Sequence, residues 1–292
     1  MKNTSRQRLI AAALVCAMAF TVAQALIAQS PTEAPKDAAQ EASAPAADDD
    51  TAAAELAKKL SNPIANLISV PFQFNYDTGI GPKDADKYTL NVQPVVPFTL
   101  NKDWNLIVRT IVPVVYQGSM ANGLDSEFGL GDTVQSFFFS PKAPTADGWI
   151  WGVGPVFLWP TGTDDSLSSE KWGAGPTAVV LKQENGWTYG MLANHISSYA
   201  GASDRAYINA TFVQPFVSYT TKTYTTLGLN TESSYDWRGE QWTVPLNLSV
   251  SQLLKIGGKP MQFSLGYRYY ADKPDGGPDW GLRFAVILLF PK

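Results

Sequence analysis

From residue 61 to the C-terminus, apolar and polar residues alternate with a period of two over segments of about ten residues, and clusters of Gly, Pro, Asp and Asn separate the segments. A period of two sends successive side chains to opposite faces, so these segments are strands with one apolar face, and helices are excluded as the main element. In Gln241 to Ser251, Trp242, Val244, Leu246, Leu248 and Val250 share a face opposite Thr243, Pro245, Asn247, Ser249 and Ser251. The same holds for Met261, Phe263, Leu265, Tyr267 and Tyr269 against Gln262, Ser264, Gly266, Arg268 and Tyr270. Trp280, Leu282, Phe284, Val286, Leu288 and Phe290 likewise oppose Gly281, Arg283, Ala285, Ile287 and Leu289. No long apolar run occurs after Leu60, so transmembrane helices are excluded there.

About twelve such segments are counted, near 66-76, 87-98, 104-116, 127-139, 149-160, 173-183, 187-198, 206-219, 223-233, 241-252, 261-271 and 280-290. Connections after the odd strands are polar and often long (Asp77 to Asp86, Gln117 to Ser126, Thr161 to Trp172, Ala271 to Asp279). Those after the even strands are mostly tight, as in Asn101-Lys102-Asp103, Glu184-Asn185-Gly186 and Ile256-Gly257-Gly258-Lys259. An even count with long loops on one rim and short turns on the other is the layout of outer-membrane barrels. A soluble barrel has the same alternation, so composition must decide. Charged residues make up 16% of the chain, against about 25% in soluble domains. The polar faces carry Ser, Thr, Asn, Gln and Gly in place of Lys and Glu, and aromatics gather at strand ends, where interfacial girdles sit. The expected fold is therefore all-β: a closed antiparallel transmembrane β-barrel of about 12 strands. Pro71, Pro94, Pro97, Pro113, Pro155, Pro176, Pro215 and Pro245 fall inside it and should mark bulges or strand ends. Strands near 127-139, 173-183 and 206-219 leave open which face points inward.

Before the barrel, Lys2, Arg6 and Arg8 precede the apolar run Leu9 to Phe20 and the small-residue pattern Ala23-Gln24-Ala25, which reads as a signal peptide over residues 1-25. Its removal takes the formal charge from -4 to -7 and removes Cys16, the chain's one cysteine, leaving no disulfide or Cys-based metal site. Residues 26-60 form an Ala/Pro/acidic linker on the periplasmic side, disordered in its first part. Within it Thr51 to Leu60 suits a short helix, read as a solvated spacer in preference to a docking helix. Residues 61-292 are the barrel.

Chemistry-bearing patterns are sparse. The acidic balance, 26 Asp+Glu against 22 Lys+Arg, disfavours nucleic acid, and a single His excludes a multi-His metal site. No cofactor is expected. His195 and Ser197 share one face of a strand as an H-x-S pair, an arrangement that resembles outer-membrane phospholipase A; Ser198-Tyr199 stands where that family has Asn-Gly. Catalysis by Ser197 and His195, an outer-membrane lipid or ester hydrolase, is kept as an alternative to a protein that is not an enzyme. The charges inside strands are more informative, because an Arg facing lipid at mid-membrane costs about 2–4 kcal/mol. Arg109, Arg268 and Arg283 should face the lumen, with Glu232 and Lys182, beside Gln73, Asn91, Gln93, Gln135, Asn230 and Asn247. These residues make either a constriction that sets selectivity or a network that fills the barrel. Val92-Gln93-Pro94 and Val213-Gln214-Pro215 hint at a six-plus-six duplication.

Several stretches resemble one family: NPIANLISVPF at 62-72, FGLGDTVQSFFFSPK at 128-142, GVGPVFLWPTGT at 152-163, EQWTVPLNLSVSQLLKIGG at 240-258 and PDGGPDWGLRFAVILLFPK at 274-292. They are similar to a family of Gram-negative outer-membrane β-barrels regarded as transporters and related to the barrels associated with the meta-pathway of phenol degradation. The resemblance implies an outer-membrane location and passive passage of small molecules, aromatic or hydrophobic ones among them. It brings no site residues. Expected partners are outer-membrane lipids, the barrel-assembly machinery and a small-molecule solute, with the barrel monomeric. Typical outer-membrane barrels end on an aromatic residue, whereas here Pro291-Lys292 follow Phe290.

Overall fold

The computed structural model describes residues 46–290; the expected signal peptide and the first part of the expected linker lie outside the described residues. The chain divides into Met1–Ala54 and Glu55–Lys292. Helix α1 (Ala46–Leu60) crosses that division, and its part from Glu55 onward belongs with the strands.

Twelve antiparallel strands close into a barrel. In chain order they are β1 (Ile68–Ile80), β2 (Ala85–Val92 and Val95–Thr99), β3 (Trp104–Gln117) and β4 (Glu127–Leu130 and Thr133–Pro141). Then come β5 (Trp149–Trp159), β6 (Lys171–Glu184), β7 (Trp187–Gly201), β8 (Asn209–Thr220) and β9 (Thr225–Thr231 and Ser233–Asp236). The last are β10 (Gln241–Ile256), β11 (Lys259–Asp272) and β12 (Trp280–Phe290). Each pairs with its neighbours in sequence, and β12 closes on β1 from Ile68↔Phe290 to Thr78↔Trp280. Closure leaves no sheet edge with unpaired backbone, the condition for crossing a membrane on strands. Among the described residues no helix is long and apolar enough to cross a membrane.

The tight turns follow their local chemistry. Between β6 and β7, Asn185 (φ 51°) and Gly186 (φ 82°) both take the left-handed conformation, the two-residue hairpin turn that Asn-Gly favours. The first hairpin is tighter than the sequence suggests, because β1 runs on to Ile80 and β2 begins at Ala85. Asp77, expected in a loop, therefore stands in the ladder opposite Lys87 of β2.

Proline accounts for the split strands. Pro94 lacks an N–H, and β2 breaks there. Pro113 lies beside the break in β4, where its carbonyl accepts from Gly131 N at 2.9 Å and the register slips by one. Glu232 falls between the two pieces of β9, beside Pro215 of β8 and Pro245 of β10. Pro155 and Pro176 differ from the expectation: they face each other in an unbroken β5–β6 ladder, and the pairing lapses on their other sides, between Val156 and Val153 toward β4 and between Ala174 and Thr177 toward β7.

The outer face is a band of exposed Leu, Val, Met and Phe, with Leu265 63% and Leu248 59% exposed. Aromatic pairs border it at both rims. At the turn rim Trp104 meets Trp151 (5.8 Å between centroids), Trp149 meets Tyr189 (6.0 Å) and Trp187 meets Tyr219 (5.0 Å). At the loop rim Tyr76 meets Tyr88 (5.1 Å), Trp159 meets Trp172 (5.5 Å) and Tyr235 meets Trp242 (5.0 Å). An apolar belt between two aromatic girdles is the surface that a bilayer requires.

The interior is divided. Around β3 to β7, Ile107, Phe138, Val179, Leu181 and Leu192 form an apolar cluster, joined from the preceding segment by Ile64, 4% exposed. Gly152 makes the room: a Cβ there would stand 3.3 Å from both Ile64 Cδ1 and Phe138 Cβ. The last turn of α1 is not a solvated spacer, since Ala57 is fully buried and Lys58 O accepts from Gln183 Nε2 at 2.8 Å. Burial of apolar area outweighs solvation for Ala57 and Ile64 alike.

Candidate functional site in the barrel interior

The polar half of the interior is built by β9 to β12, β1 and β2. The period of two turns Gln73, Asn75 and Asp77 of β1 inward, with Lys87 and Asn91 of β2 beside them through the pairs Asp77↔Lys87 and Gln73↔Asn91. On the other side β12 pairs Arg283 with Asn75, and β10 pairs Asn247 with Arg268 of β11. Glu232 occupies the centre. Arg283 grips it with Nη1 to Oε1 at 2.9 Å and Nη2 to Oε2 at 2.7 Å, and turns Nε to Asn75 Oδ1 at 2.8 Å. Arg268 Nη2 reaches the same carboxylate at 3.2 Å, while its Nη1 lies 3.7 Å from Asp77 Oδ2. Tyr270 donates to Asp77 Oδ1 at 2.8 Å and places its ring under the Arg268 guanidinium, 5.4 Å away. Bidentate and charge-assisted bonds of this kind offset the cost of holding ions away from bulk water.

Two further pairs extend the network. Arg109 Nη2 donates to Gln93 Oε1 at 2.7 Å, and Asn247 Nδ2 to Asn230 Oδ1 at 2.9 Å. Among the described residues no carboxylate lies within 4.0 Å of Arg109. Of the residues expected inside, Gln73, Asn91, Gln93, Arg109, Asn230, Glu232, Asn247, Arg268 and Arg283 do face inward.

Gln135 and Lys182 do not. Gln135 pairs with Thr110, and its Nε2 donates to Thr110 Oγ1 at 3.0 Å on the outer face, because the register slip at Gly131 reverses the alternation of β4. Its neighbours Val134 and Ser136 are the ones that line the interior. Lys182 lies outside at the turn rim, where its amine meets Glu184 at 2.9 Å. Asp77, Lys87 and Gln214 are interior residues that the sequence left out, while Asn75 and Tyr270 share the inward faces of Gln73 and Arg268 without having been singled out. Continuing the period of two along β1 finds Asp77, and the repeated Val-Gln-Pro points to Gln214.

Two cavities lie inside the barrel. One, of about 300 Å³, is bounded at the turn rim by Lys59 to Leu67 and by Ser249, Ser251 and Gln262. The other, of about 330 Å³, has Gln73, Asn91 and Glu232 on one side and Ile111, Leu158 and Phe212 on the other. Gln93, Arg109 and Gln214 line both. No group of three or more metal-ligating side chains occurs among the described residues.

At the loop rim, Asp132 straps down the β5–β6 loop. It accepts from Gly162 N (3.1 Å), Ser168 Oγ (2.7 Å) and Ser169 N (2.7 Å). Arg205 of the next loop donates to the carbonyls of Asp165 and Ser168.

His195 and Ser197 occupy the outer face of β7. Ser197 Oγ lies 3.3 Å from His195 Nε2, and His195 Nδ1 lies 2.9 Å from Thr211 Oγ1 on β8, which also accepts from Trp237 Nε1 at 2.8 Å. A hydroxyl, an imidazole and an orienting oxygen thus stand in sequence.

No family model matches this chain, and no curated protein matches it. Solved structures do. The fold is similar to that of an outer membrane channel from Pseudomonas putida F1, with a TM-score of 0.60 at 14% identity, covering 77% of this chain and 96% of that one. It is less similar to outer membrane phospholipase A from Escherichia coli, with a TM-score of 0.47 at 12% identity, covering 75% and 92%. At these identities the likeness is one of fold: an outer-membrane type of β-barrel.

Proposed function

We propose that this protein is an outer-membrane channel that passes small molecules, aromatic or hydrophobic ones among them, by passive diffusion, and that it belongs with the transporter barrels related to phenol-degradation pathways. The observation that carries this reading is the pair of interior cavities that share Gln93, Arg109 and Gln214 as lining residues, which supports a half-polar, half-apolar path along the barrel. A packed core would leave no such space. The channel likeness of the fold and the aromatic girdles support an outer-membrane site, with outer-membrane lipids around a monomer inserted by the barrel-assembly machinery. Planar-bilayer recordings on the refolded protein test it: discrete conductance steps are expected, and their absence with every solute tried defeats the reading.

Two other readings each have an observation behind them. The spacing of Ser197, His195 and Thr211 favours a lipid or ester hydrolase in which Ser197 attacks an acyl carbon and His195 Nε2 takes its proton. It predicts ester hydrolysis that Ser197→Ala abolishes, and a wild-type protein inert toward lipids and short esters removes it. The packing of Ile64 against the apolar half favours a plugged, structural barrel. Under that reading Arg268→Ala or Arg283→Ala alters stability alone, whereas in a channel each also shifts ion selectivity.

A further inference from the structure

The cavity of about 330 Å³ presents two unlike walls, Ile111, Leu158, Leu192 and Phe212 on one side and Gln93, Arg109 and Glu232 on the other, the Glu232 carboxylate being taken up by Arg268 and Arg283. Its volume stands at the lower end of small-molecule sites, roughly 300–1,000 Å³. The arginines of the polar half are not equivalent. Arg283 and Arg268 are neutralised by Glu232 and Asp77, whereas the partner of Arg109 is the neutral amide oxygen of Gln93. A guanidinium held by one neutral acceptor keeps donors free in the fork geometry that matches a carboxylate.

We propose that this cavity binds a small amphiphile carrying one carboxylate, its head on Arg109 and its hydrocarbon body along the aliphatic wall. The inference rests on the channel reading only in taking the site as a station on the solute's path. Other ligand classes fit less well. Arg109 and Glu232 are the charged side chains that line the cavity, and Glu232 is already held by Arg268 and Arg283, which disfavours a cation. A sugar would leave hydroxyls unpaired against the aliphatic wall. Inorganic phosphate would leave that wall uncovered.

The test is equilibrium dialysis of radiolabelled octanoate against the refolded protein in lipid nanodiscs, with empty nanodiscs as background. Saturable binding at one site is expected, weakened about tenfold or more by Arg109→Gln, as loss of a charge-assisted contact implies. Gln93→Glu supplies an internal carboxylate to Arg109 and should weaken binding as much while keeping the guanidinium in place. Octan-1-ol and octyltrimethylammonium should displace the label at least about tenfold less well than unlabelled octanoate. Absence of saturable binding, binding unchanged in both variants, or equal displacement by the alcohol overturns the proposal. Bilayer recordings on the same preparation separate the two ideas: binding without conductance removes the channel reading and keeps the site, and conductance without binding does the reverse.

Discussion

Glu232 shows how much one residue carries in this barrel. It sits in a ladder break beside two prolines, and both Arg268 and Arg283 close on its carboxylate. Breaking such a pair leaves an uncompensated charge at a cost of about 3–5 kcal/mol, more than the intact pair contributes. Glu232→Leu takes the carboxylate from both guanidiniums and should therefore lower unfolding stability by about that much in urea titrations of the refolded protein, and adding Arg283→Met should recover part of it, since Arg268 keeps Asp77. Gln135 is the contrasting case. It faces outward and bonds only to Thr110, so Gln135→Leu should change stability by no more than about 1 kcal/mol and leave any conductance as it was. A loss of conductance in that variant would mean that Gln135 faces inward after all.

The segment between α1 and β1 has the largest consequence among the elements. Asn62 Oδ1 accepts from Ile64 N at 2.9 Å, a short Asx turn that aims Ile64 at Phe138 and Leu192. Truncating a buried Ile to Ala costs about 2–5 kcal/mol. Here that cost falls on the docking of the segment and leaves the strand ladders intact. Ile64→Ala should expose residues 61–67 to protease and raise single-channel conductance while the barrel stays folded. Unchanged conductance would mean that the segment does not limit passage.

The whole molecule is polarised around its circumference. The charged half holds four cationic side chains, Lys87, Arg109, Arg268 and Arg283, against the carboxylates of Asp77 and Glu232. Ions passing along it should feel a net positive wall, so a salt gradient across the bilayer should give a reversal potential on the anion-selective side. The preference should fade above about 1 M salt, where the screening length falls to about 3 Å. Cation selectivity at low salt would contradict this charge placement.

Much of this was legible in the residues alone. Alternation, loop asymmetry and the scarcity of charge specify a closed twelve-strand barrel with a lipid-facing band, because each follows from side-chain periodicity and solvation along one strand at a time. The sequence also sends Arg268 and Arg283 inward, since lipid would not tolerate them. Its failures share a physical cause. Strands 127-139, 173-183 and 206-219 are ambiguous because they are apolar on both faces, one toward lipid and one toward the apolar half of the lumen. Periodicity has no contrast to read there, and Gln135 was accordingly placed on the wrong side of a one-residue slip. Only the tertiary structure decided that slip, the docking of Ile64 and the meeting of Glu232 with two arginines, because each depends on the register between strands distant in sequence.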